Sequence, residues 1–67
     1  MTKTAWERME DGLRYYGAND SSVFSETIRH VVEDVYYDDV LTAATKELGK
    51  TELVARIMKL RDEVVKS

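Results

Sequence analysis

The sequence predicts an all-α domain, a small bundle of three to four short helices. Three observations predict it. Proline is absent and glycine occurs three times in 67 residues, so helices run with few interruptions. Apolar residues recur at steps of three and four, the spacing that places them on one helical face. Turn-forming residues cluster in a few places between those stripes. The predicted helices cover about residues 3–16, 22–37, 39–48 and 51–66, within one domain spanning 1–67.

The first helix carries Trp6, Met9, Leu13 and Tyr16 on one face, with Tyr15 pointing away. Thr2 is a candidate N-cap. Ala5 and Gly12 flank the stripe, where another helix can come close. Gly17 suits the left-handed position that closes a helix. Ala18 to Ser22 then form a loop. Ser21 or Ser22 can accept hydrogen bonds from the free N–H groups that open the second helix. Phe24, Ile28, Val31 and Val35 form its stripe, with Val32 and Tyr36 widening it. This stripe is the expected core on which the other helices pack.

The apolar phase then shifts. Val40, Leu41, Ala44 and Leu48 share a face only if a new helix starts near Tyr37–Asp39, with Asp38 or Asp39 as N-cap. The alternative is one helix over residues 22–48, about 40 Å long, which would imply an extended dimer. Gly49 ends the third helix and Thr51 caps the fourth. Leu53, Ile57, Leu60 and Val64 form one row of that helix, and Val54, Met58 and Val65 form a second beside it. Arg61 lies between the rows, placed to snorkel or to pair with an acid of the second helix. So broad a stripe exceeds what one helix needs on a small bundle. It suggests a second contact surface, and a homodimer is expected.

Composition excludes several classes. There is no cysteine, hence no disulfide framework and no thiolate metal site. No apolar run approaches the ~20 residues that span a bilayer. The opening MTKTAWERMED lacks the apolar region of a secretory leader, so a cytoplasmic location is expected. Net charge is −3 but uneven. Residues 21–39 set Arg29 against Glu26, Glu33, Asp34, Asp38 and Asp39, giving −4, whereas residues 40–67 carry +2. An acidic middle and a basic end can complement each other within the fold or across a dimer.

Two constellations are candidate sites. Glu33, Asp34, Tyr36, Tyr37, Asp38 and Asp39 form an acidic, aromatic surface suited to a protein partner with a basic surface. The alternative is a small dimeric helix-turn-helix in the C-terminal half, residues 39–66. Lys46, Lys50, Thr51, Arg56 and Lys59 would then be its DNA-binding residues, and nucleic acid the partner. The short turn, and Glu52 where the approach to phosphates should be basic, weaken that outline. His30 has Glu26 and Asp34 four residues to either side, which predicts an exposed ion-pair ladder. Zinc would need further ligands that the chain does not supply. No metal, cofactor or catalytic residue is expected. The sequence thus predicts a non-catalytic binding module that regulates or inhibits a partner protein.

Overall fold

The computed structural model describes residues 2–66. Four helices form: α1 (Ala5–Gly17), α2 (Ser22–Glu33), α3 (Asp39–Leu48) and α4 (Lys50–Lys66). No strand occurs among the described residues. None of these helices is long and apolar enough to cross a membrane.

The helix ends follow from local chemistry and move several expected boundaries. Thr4, not Thr2, caps α1. Its Oγ1 accepts from the Glu7 N–H at 3.1 Å, and Glu7 Oε1 accepts from the Thr4 N–H at 2.9 Å. Only Thr4 has a glutamate three residues on, which a reciprocal capping box requires. Those two bonds hold the Glu7 carboxyl below its ordinary range. Neither Ser21 nor Ser22 accepts a capping bond at α2. Asp20 does so instead, its Oδ1 accepting from the N–H and hydroxyl of Ser22 at 3.0 and 2.7 Å. Asp38 caps α3, accepting from the Leu41 N–H at 2.8 Å.

The largest departure is at the end of α2, which stops at Glu33 rather than Tyr37. Asp34 adopts a left-handed conformation, φ 59° and ψ 36°. The Asp34 N–H then bonds to the Val31 carbonyl and the Val35 N–H to that of His30, the pairing of a Schellman closure. A continuous helix over residues 22–48 is therefore excluded. Aspartate tolerates this conformation better than most residues do, and the valines preceding it are weak helix formers.

α3 and α4 are joined by Gly49 alone. Its φ of 83° with ψ of 159° is a region nearly restricted to glycine. The Gly49 carbonyl accepts from the Leu53 N–H at 3.0 Å, so α4 starts at Lys50 and Thr51 lies inside it rather than capping it. Gly17 also differs from expectation. It is the last residue of α1 and has no positive φ. Its role is steric, because a Cβ there would collide with Cε2 and Cζ of the Phe24 ring.

The core joins all four helices: Trp6, Met9 and Leu13 from α1, Phe24 and Val31 from α2, Leu41 and Ala44 from α3, and Leu53, Ile57 and Leu60 from α4. α1 and α4 each pack on the three other helices, whereas α2 and α3 scarcely meet. The shared framework is therefore α1 with α4, not α2. Of the expected α2 stripe, Phe24 and Val31 are buried and Ile28 partly so, but Val35 has left the helix and is exposed. Thr27 takes a buried place instead, its hydroxyl donating to the Val23 carbonyl at 2.7 Å. Tyr16, expected on the buried face, is 64% exposed. Gly12 makes no close helix approach, since a Cβ there would meet nothing within 4 Å.

The roles of two glycines are tested by substitution. Gly49→Ala forces a left-handed strain worth about 1–3 kcal/mol. Gly17→Ala overpacks the Phe24 site, at about 1–3 kcal/mol. Urea midpoints should fall for both. An unchanged midpoint for Gly17→Ala would show that the ring of Phe24 is free to move away.

Candidate functional site

The acidic, aromatic residues fall on the α2–α3 link and its two shoulders. Glu33 ends α2. Asp34 turns the chain and is held on two sides: Lys50 Nζ lies 2.6 Å from its Oδ1, and the Tyr36 hydroxyl donates to the same oxygen at 2.9 Å. The Lys50 bond, then that of Tyr36, lowers the Asp34 pKa. Reciprocally, Asp34 raises those of Lys50 and Tyr36. Tyr37 sets its ring edge against the His30 imidazole, with centroids 4.9 Å apart and planes at 61°. Asp38 is committed to capping α3, and Asp39 lies in its first turn.

Asp34, Tyr36 and Asp38 thus have structural tasks, while Glu33 and Asp39 have no polar partner among the described residues and Tyr37 stays 55% exposed. Around them, Val32 is 61%, Val35 46% and Tyr36 39% exposed. Four large apolar side chains within six residues stay in water. Burying a valine completely is worth about 1.5–3 kcal/mol, and the fold forgoes part of that at both valines.

The basic residues are differently placed. Lys50 belongs to the Asp34 ion pair. Arg56 Nε donates to Glu52 at 2.7 Å, and its guanidinium lies 5.7 Å from the centroid of the Trp6 ring, a cation–π distance. Lys46 and Thr51 are exposed on α3 and α4. Lys59 lines an open cleft of about 440 Å³ between α1 and α4. The single residue between α3 and α4 is shorter than the three or four of a helix-turn-helix.

Two further expectations change. His30 makes no ion pair with Glu26 or Asp34 among the described residues. The ladder fails because Asp34 leaves the helix, and the imidazole packs on Tyr37 with Nδ1 buried and unpartnered. Arg61 pairs with no acid of α2, and its nearest carboxylate among the described residues is that of Asp62 at 3.9 Å. No group of three or more potential ligands is placed for a metal among the described residues.

Sequence reasoning missed a second, mostly apolar groove of about 350 Å³ between α1, α2 and α3. Gly12 and Tyr16, read as packing residues, line it. The available signal was a glycine in the middle of a helix with no cap or turn to make.

The Asp34–Lys50 contact sets a pH dependence. Asp34 has its pKa depressed in the folded state, so its contribution is present above the ordinary value of 3.8 and is lost as pH falls through the lower folded value. Lys50 is raised, so its contribution is present below 10.5 and is lost as pH rises through the higher folded value. Thermal melts of the protein and of Lys50→Met should differ by a constant amount from pH 5 to 9 and converge below pH 3.8. A difference that persists under acid would remove the ion pair as its source.

No family model, curated protein or solved structure matches the chain.

Proposed function

We propose that the chain is a non-catalytic, cytoplasmic binding module that regulates or inhibits a partner protein, and that it self-associates. The observation that carries this reading is the exposure of Val32, Val35, Tyr36 and Tyr37 next to Glu33, Asp34, Asp38 and Asp39. Tyrosine and valine supply apolar contact area at small cost in side-chain entropy. The carboxylates around them favour a partner whose contact surface is basic, speeding its approach and disfavouring acidic competitors. Held by Lys50 and by the Asp38 cap, the link has little conformational freedom to lose on binding.

DNA binding draws less support. Of Lys46, Lys50, Thr51, Arg56 and Lys59, two already have intramolecular acidic partners. Releasing them would cost those contacts before any phosphate is met. Self-association draws on the outer row of α4, where Met58 and Val65 are exposed. A chain this small, without a cysteine to form a disulfide, gains most from a second copy.

The test is capture from the cell that makes the protein, with the immobilised wild type beside Tyr37→Ala and the pair Glu33→Lys, Asp39→Lys. Asp38 is left native because it caps α3. The wild type should retain a specific protein, released by salt. Both variants should weaken that complex at least tenfold, a modest hot-spot effect of about 1.4 kcal/mol. Retention unchanged in both would refute the acidic, aromatic surface. Specific, salt-sensitive retention of duplex DNA, lost on Lys46→Glu, would favour the alternative.

A further inference from the structure

The groove between α1, α2 and α3 has a feature that the chain's own folding does not explain. Leu13 and Leu41, both buried, form its base, and Val23 and Val40 extend the apolar lining. Tyr16 and Tyr37 line it too, each more than half exposed. Gly12 lies in the same lining, inside α1. Glycine within a helix is destabilising relative to alanine. Here no positive φ requires it, and a Cβ would meet no atom within 4 Å. Neither backbone conformation nor internal packing accounts for the missing side chain. Its consequence is a groove left open.

A fitting occupant lies elsewhere on the same chain. Val54, Met58, Arg61 and Val65 step by four, three and four, so they share one face of α4. Met58 and Val65 on that face are exposed. Among the described residues Arg61 has only a 3.9 Å approach to Asp62, and Lys66 follows at the end of the row. The groove has Asp38 in its lining, with Asp39 beside it. An apolar row carrying Arg61 thus matches an apolar groove that carries Asp38 on its α3 side and Arg8 on its α1 side. The charge split, −4 in residues 21–39 against +2 in residues 40–67, has the sign such a contact needs.

We infer that the Gly12 groove is a docking site for α4 of a second copy of this chain, with Met58 seated in the groove and Arg61 facing Asp38 and Asp39. The mode is an amphipathic helix laid in an apolar groove. The inference rests on the self-association proposed above and specifies where it occurs. It does not depend on the partner-binding reading, although Tyr37 and Asp38 belong to both surfaces, so a bound partner and a second copy compete for them. Arg8, on the α1 side of the groove, opposes a cation there and favours an orientation with Arg61 at the Asp38 end.

The test uses the full chain alone, by sedimentation equilibrium from micromolar to millimolar concentration. Wild type should associate, and 0.5 M salt should weaken the association. Gly12→Leu fills the groove and Met58→Glu charges the docking row, so each alone should be monomeric. Circular dichroism should show both folded, with Gly12→Leu melting several degrees higher because leucine is the better helix former. An equimolar mixture of the two should associate again. One variant retains a working groove and the other a working α4, so one intact contact survives. A monomeric wild type at millimolar concentration would overturn the inference. So would association that survives either substitution, or a mixture that stays monomeric. Neither substitution replaces a residue of 32–39, so a wild type that stays monomeric while still capturing its partner removes this docking site alone. Retention unchanged in Tyr37→Ala and in the charge pair, with Gly12→Leu and Met58→Glu behaving as stated, removes only the partner reading.

Discussion

The left-handed turn at Asp34 determines what the rest of the molecule can do. It ends α2 five residues before α3 begins, and the residues between become a surface instead of a fourth turn of helix. A left-handed aspartate costs free energy relative to glycine. The turn offsets that cost with its two backbone bonds to His30 and Val31, the Lys50 ion pair and the Tyr36 hydroxyl. A glycine would relieve the strain but forfeit both side-chain contacts. The aspartate therefore joins the end of α2 to the start of α4 and holds Tyr36 beside the link.

The same turn redistributes the core. With α2 shortened, its buried face reduces to Phe24, Thr27 and Val31. The load passes to α1 and α4, which pack on every other helix. Phe24 is wholly buried because Gly17 admits its ring at the end of α1. Thus one small residue positions α2 against α1, and one residue of unusual φ, Gly49, lets α3 fold directly into α4. A chain of this length buries a smaller fraction of its surface than larger domains do. The apolar side chains left outside lie on the α2–α3 link, the outer row of α4 and the exposed tyrosines of α1.

Much of the fold was legible in the sequence because helical periodicity is local. Trp6, Met9 and Leu13, and Leu53, Ile57 and Leu60, announce their faces by spacing alone, and all six are buried. The α3 bounds were legible because Asp38 and Gly49 are strong end signals. The Thr4–Glu7 box is equally local, because a glutamate three residues on distinguishes Thr4 from Thr2 as the cap. The end of α2 was not readable. Val35 and Tyr36 continue the apolar spacing, and no glycine or asparagine marks the turn. Part of its stabilisation comes from Lys50, sixteen positions away, which no local window contains. The acidic, aromatic composition was plain, but which of its members are free depends on that tertiary contact. The groove was hidden for the same reason, since Gly12, Tyr16, Tyr37 and Val40 meet only when three helices assemble.

The central claim is that α2 stops at Glu33 and that Asp34 turns left-handed in solution. Backbone NMR of the wild type, read as 13Cα shifts and HN–Hα contacts across residues 28–42, tests it most directly. The account predicts helical shifts ending at Glu33, a strong intraresidue HN–Hα contact at Asp34 and extended shifts at Val35 to Tyr37, before helical values resume at Asp39. Helical shifts running unbroken from Ser22 through Tyr37 would contradict it and return the aromatic residues to the face of a helix.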